Sequence, residues 1–107
     1  MTDAGIPAGV TIETVYVVEV SYTADAAEKR PAARPEHLER IARLMDEGRL
    51  VVAGGFLDFS SSLLFVRAAS EAEAIELIRD DVYCRAGVWS DDIRARPFGR
   101  VVRDAGR

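Results

Sequence analysis

From residue 15 to residue 22 the chain reads VYVVEVSY, with Tyr16, Val18, Val20 and Tyr22 on one side of an alternating pattern and Val15, Val17, Glu19 and Ser21 on the other. β-Branched and aromatic residues at a period of two define a strand, and its second face turns polar toward the end. A linker of Ala, Asp and Lys follows. Pro31 and Pro35 each come after an arginine. Proline lacks the N–H that the first helical turn leaves unused, so a helix is expected to start at about Pro35. Its apolar stripe is Leu38, Ile41, Ala42 and Met45, spaced i, i+3, i+4 and i+7, while Glu36, Glu39, Arg40, Arg43 and Glu47 point elsewhere. Gly48 supplies the C-cap. Residues 50–57 and 63–67 read as two strands joined around Asp58-Phe59-Ser60 and paired antiparallel. Ser70-Glu71-Ala72-Glu73 has capping-box form, in which the serine hydroxyl serves the N3 amide and the glutamate reaches back to the cap. Ala74, Ile75 and Ile78 follow it, so the second helix spans roughly residues 71–79. The loop DDVYCRAGVW leads to a last strand from about residue 92 to 102, in which Pro97 suits an edge position or a bulge.

The order βαββαβ places both helices on one face of an antiparallel sheet, an α+β arrangement of the split βαβ kind. The other sheet face then needs a cover. Residues 1–13 contain Gly5, Pro7 and Gly9 without periodicity and read as a flexible lead-in; residues 14–103 form the domain and 104–107 a tail. With 107 residues, 49% of them hydrophobic, the chain fits one domain with a modest core. A core of that size leaves little room for a deep site within a single chain.

Charge removes two partner classes. The net charge of −4, with basic residues interspersed among acids, offers no attraction to phosphate backbones, so nucleic acid is not expected. No stretch approaches a membrane span, and the N-terminal sequence has neither a basic n-region nor an apolar h-region. Cys84 is the only cysteine, which excludes an intrachain disulfide and fits a reducing cytoplasm. One His and one Cys far apart do not make a metal site, so no metal is expected. Cys84 itself has no activating group nearby in sequence and reads as inert.

The segments RPEHLERIARLMDEGRLVVAGG and DDVYCRAGVWSDDIRARPF resemble the YciI-like (YCII-related) family, whose patterns run R-P-x-H-L, D-E-G-R-L, A-G-P, D-P-Y and A-G-V before a terminal P-F. The pieces stand in order and at the right spacing over residues 15–103. Two positions depart from the pattern: Gly55 replaces the proline of A-G-P, and Val82 that of D-P-Y. The resemblance implies a ferredoxin-like fold, a homodimer whose two sheets face each other as a dimeric α+β barrel, and a cleft holding a His-Asp pair. Here that pair is His37 and Asp81. A dimer also meets the separate need to cover the bare sheet face and to build a pocket.

On the residues alone, His37, the single histidine, reads as a hydrogen-bonded histidine beside the apolar stripe, without chemistry; the resemblance reverses that reading. An imidazole exchanges protons under mild conditions, and a carboxylate on its other nitrogen fixes the tautomer. Asp81 takes that part. Asp80 is the neighbouring alternative, and capping of the loop after the second helix is the other use for Asp81. Arg34, one turn before His37 at the expected helix start, either holds a carboxylate or phenolate or makes a surface salt bridge. Tyr83 either lines the cleft or packs in the core. Ser61 and Ser62 are read as strand residues. Two functions follow as expectations. The first is cofactor-free proton transfer of lyase, isomerase or dehydrohalogenase type on a small anionic or ring-shaped metabolite. The second is a non-catalytic small-molecule-binding or accessory dimeric module.

Overall fold

The computed structural model describes residues 5–104, and its element order is β1 (Val10–Tyr22), α1 (Ala26–Asp46), β2 (Leu50–Gly55), β3 (Ser61–Val66), α2 (Glu71–Arg79), α3 (Val82–Arg85) and β4 (Trp89–Arg103). The four strands form one antiparallel sheet in the order β2-β3-β1-β4. This is the expected α+β, ferredoxin-like βαββαβ arrangement with one additional helical turn, α3, inside what reads as loop in the sequence.

The first and last strands are longer than the hydrophobic pattern suggests. Val10 pairs with Arg103 and Thr14 with Gly99, so residues 10–13, expected in the lead-in, are strand. Their β-branched Val-Thr-Ile-Glu-Thr sequence is held by a partner of equal length, a nonlocal cause that no local window reveals. The rest of the expected lead-in that lies before residue 5, and the tail after residue 104, fall outside the described residues. β4 likewise begins at Trp89 rather than near residue 92, and a shift in register after Val20 brings Tyr22 opposite Trp89. Pro97 lies on β4, an edge strand, where a missing N–H is tolerated.

α1 corrects the largest expectation. It begins at Ala26, not Pro35, and contains both prolines. Each proline removes an i to i−4 hydrogen bond, but both are exposed, so the freed carbonyls face water. The buried stripe is consequently Ala26, Ala33, His37, Ile41 and Leu44. Leu38 and Met45 stay 49% and 40% exposed, and Ala42 is exposed too. Small alanines let the first turns lie close to the sheet, and the same face then carries His37 into the interior.

The helix ends as expected. Gly48 has φ +76°; its N–H bonds the Met45 carbonyl at 3.0 Å and Arg49 N–H bonds that of Leu44 at 2.9 Å, a Schellman pair that needs the left-handed residue. At α2 the Ser70 hydroxyl accepts the Glu73 amide at 3.1 Å, while the Glu73 carboxylate reaches one residue past the cap to the Ala69 amide at 2.7 Å. Between sheet and helices lies the core: Val18, Val20, Leu64 and Val66 against Leu44, Leu77 and Ile78. The opposite sheet face carries Val17, Leu63, Phe65 and Phe98 with no helix over it among the described residues, and Val52 there is 55% exposed.

Candidate functional site

Asp81 stands where α2 has ended and α3 begins. Its backbone is extended, at φ −73° and ψ 146°, and its carboxylate caps α3 by accepting the Tyr83 amide at 2.8 Å. The same Oδ1 meets Nδ1 of His37 at 2.8 Å, and Oδ2 takes Nη1 of Arg40 at 3.1 Å. Loop capping and pairing with His37 are therefore one arrangement. Asp80 is exposed, and its carbonyl serves Arg85. Val82, in place of the family proline, is the first residue of α3. Proline is also favoured at that position, so the replacement leaves the turn and Asp81 in place.

Asp81 is fully buried. Burial by itself would raise its carboxyl, but the hydrogen bond from His37, with those from the Tyr83 amide and Arg40, outweighs it and holds the group below the usual carboxylate range. An ionised carboxylate only accepts hydrogen bonds, so Nδ1 of His37 carries the proton that points at Asp81. In the neutral ring Nε2 then presents its lone pair. Among the described residues Nε2 makes no hydrogen bond, yet no buried side-chain nitrogen or oxygen lacks a partner. Nε2 is thus the atom through which the imidazole meets open space.

Two aromatic contacts fix the plane of that ring. Tyr83 stacks on it with centroids 3.6 Å apart and planes 7° apart, and Trp89 meets it edge-on at 5.1 Å and 87°. Tyr83 and Trp89 are themselves perpendicular at 5.2 Å, and Trp89 Nε1 donates to the Ser62 hydroxyl at 3.1 Å. Tyr83 is buried, which pushes its phenol up. Of its two sequence readings, core packing and cleft lining, it satisfies both, because its ring is the wall against which the imidazole lies.

A cavity of about 150 Å³ opens beside His37, Tyr83 and Trp89, and Tyr22, Arg30 and Arg34 also line it. Arg34 is exposed and lies well inside α1 rather than at its start. The helix dipole acts over the first turn only, so it lends no help to an anion at Arg34. Neither Arg30 nor Arg34 has an ion-pair partner among the described residues, which leaves two guanidinium charges at the cavity without an internal carboxylate. Arg30 lies over the Phe59 ring, 4.6 Å from its centroid. Cys84 is half-buried, with burial pushing its thiol up and its sulfur 3.5 Å from the Ile78 carbonyl. No group of three potential metal ligands occurs among the described residues.

The sequence pattern places Arg40 off the apolar stripe and gives it no part in the site, which is its clearest omission. Arg40 also donates to the Leu77 carbonyl at 2.7 Å, so it ties Asp81 to the C-terminal end of α2, where a cation is favourable. The signal was available: Arg40 is three residues from His37 and shares its helix face. Trp89, read as the end of a loop, is the other group missed.

The fold and this cluster define a class: small ferredoxin-like proteins in which a buried carboxylate orients a histidine toward a cavity at the helix side of the sheet. The chain belongs to the YCII-related domain family, whose family model matches residues 14–94. It is 34% identical over 97 residues to protein YciI of Escherichia coli, covering 81% of this chain and 98% of that one. It is 35% identical over 83 residues to the "derivative of benzaldehyde biosynthesis cluster protein C" of Emericella nidulans, covering 67% of this chain and 85% of the relative. A Haemophilus influenzae protein described as uncharacterized is 30% identical over 96 residues, covering 80% of this chain and 97% of its own. Among the described residues no helix is long and apolar enough to cross a membrane.

Proposed function

We propose that the chain is a cytoplasmic homodimeric acid–base enzyme. In this reading His37 Nε2 takes a proton from, or returns one to, a small anionic or ring-shaped metabolite in the cavity. Asp81 holds the tautomer and Arg34 attracts the anion. Tyr83 supports the imidazole plane and lines the substrate's space. The reaction is of lyase, isomerase or dehydrohalogenase type, and it runs on the chain's own side chains. The observation that carries this reading is the division of labour on one ring: Nδ1 is committed to an ionised, fully buried carboxylate, while Nε2 faces the cavity. A cavity of about 150 Å³ is also the size that accepts a single six-membered ring. The name of the Emericella relative links that protein to benzaldehyde-derived compounds, which are rings of this size.

The experiment is a metabolite screen. Thermal-shift hits with wild-type protein are assayed for turnover and repeated with His37→Asn; ligands that stabilise the wild type and are converted by it alone support the reading. Turnover that survives intact in His37→Asn overturns it.

The dimer in this reading rests on the apolar sheet face that no helix among the described residues covers. Val17, Leu63, Phe65 and Phe98 lie there beside the exposed Val52, a patch that is costly to leave in water. Light scattering at micromolar concentration is expected to give twice the chain mass, with most of the interface from β1 and the β2–β3 hairpin. A stable monomer would count against the dimer.

A further inference from the structure

We infer that Tyr22 is a ligand-positioning residue of this cavity, and that Gly55 is the residue that lets its hydroxyl in. The inference rests on the cavity being a ligand site, as proposed above, and adds a wall to it. His37, Arg30 and Arg34 reach the cavity from α1; Tyr22, Gly55 and Ser62 reach it from the sheet.

Gly55 is the position at which the chain departs from the A-G-P pattern, and the structure supplies a reason. A β-carbon on residue 55 would collide with the Tyr22 phenol oxygen, and would crowd the Ser62 hydroxyl at 3.1 Å and Tyr22 Cζ at 3.2 Å. Gly55 has an ordinary negative φ, so backbone conformation does not call for glycine there; the phenol does. Any side chain at 55 would displace the hydroxyl from the sheet wall.

The ring behind that hydroxyl is held by Phe59. Phe59 packs on it at 5.2 Å and 60°, and the Arg30 guanidinium covers Phe59 in turn. Phe59 adopts φ +60°, a conformation that a bulky residue takes only under constraint, and that conformation places its ring between Tyr22 and Arg30. Yet the hydroxyl so carefully located makes no hydrogen bond among the described residues, and no buried oxygen there lacks a partner. It is therefore presented to the cavity. An O–H that lines the same cavity as two guanidiniums, none of the three with a hydrogen-bond or ion-pair partner among the described residues, is suited to donate to a carboxylate or phenolate oxygen of a one-ring ligand.

Benzoate tests this, because it is one ring with one carboxylate. His37 is the only histidine, so its imidazole Cε1–H signal in NMR reports the site without ambiguity. Benzoate is expected to shift that signal saturably in the wild type and to bind about tenfold more weakly to Tyr22→Phe, the loss of one hydrogen bond to a charged group. Gly55→Ala should weaken binding similarly by evicting the hydroxyl, and adding Tyr22→Phe to it should cost nothing further. That non-additivity separates positioning from simple packing. Should Gly55→Ala fail to fold, Tyr22→Phe decides alone, since its hydroxyl bonds nothing in the described protein. Equal benzoate affinity in wild type and Tyr22→Phe overturns the inference and leaves the cavity reading standing. No response of the His37 signal in wild type also overturns it, whereas the acid–base reading is judged by turnover in the screen.

Discussion

Replacing Asp81 by alanine is expected to lower the unfolding free energy by about 3–5 kcal/mol, a large part of the roughly 5–15 kcal/mol that a domain commands. The size follows from what the carboxylate does. It is fully buried and accepts three donors: Nδ1 of His37, the Tyr83 amide and Nη1 of Arg40. Alanine leaves all three donors facing a void, and one of them is a charged guanidinium with only 16% of its side chain exposed. Asp81→Asn is milder, about 1–3 kcal/mol, because its amide oxygen still serves two donors while its NH₂ opposes Arg40. Urea denaturation of the three proteins should give midpoints in the order wild type, Asn, Ala. Equal midpoints would show that the network stabilises nothing.

The same network sets a pH dependence with a definite sign. Asp81 in the folded protein is held below its ordinary range, so the unfolded state binds protons more readily than the folded one. The stabilisation is present in full above the unfolded carboxylate value of about 3.9 and is lost as pH falls through the lower folded value. The midpoint difference between wild type and Asp81→Ala should therefore stay constant from neutral pH down to about pH 5 and shrink only below about pH 4. Glu13, held near a pKa of about 2 by Arg67 and then Arg100, titrates in the same acid range but is common to both proteins and cancels in the difference. A gap that closes between pH 6 and 8 would assign the coupling to some other group.

How much of this was legible before the fold was known depends on how local each cause is. The alternation around Val18 and Val20, the Gly48 stop and the Ser70 cap depend on a few neighbouring residues, and they were readable. The start of α1 was not, because Arg30-Pro31 and Arg34-Pro35 carry the signature of a first turn. That two exposed prolines can sit inside a helix depends on which face meets the sheet, and the face is decided by Ala26 and Ala33. The turn of that face also moved His37 from beside the stripe into it. The strand at residues 10–14 was hidden for a related reason, since its partner lies at the far end of the chain. His37 and Asp81 came together on paper through a pattern of residues, not through any force visible in the sequence. Arg40 needed only helix geometry and was still passed over. The fit of Tyr22 over Gly55 joins two strands that are not neighbours in the sheet, and only coordinates reveal it.

Because Asp81 carries both structure and orientation, its variants cannot by themselves separate a catalyst from a binding module; His37→Asn can. Asparagine keeps an N–H that can reach toward Asp81, and the losses are the stacking on Tyr83 and the edge contact with Trp89. Together these are worth about 1–3 kcal/mol, so the fold is expected to survive. The imidazole that lines the cavity is gone, however, and general acid–base catalysis by a positioned imidazole is worth about 10²–10⁴ in rate. Turnover of any substrate found in the screen should fall by that factor. Asp81→Asn should lose less, since an imidazole in the wrong tautomer still recovers part of the time. A binding module gives a different pair of results: ligand affinity shifts only in proportion to the lost stability, and no conversion is seen at any pH. Denaturation midpoints and turnover measured on the same two variants distinguish the cases, and marked destabilisation with turnover retained would end the catalytic reading.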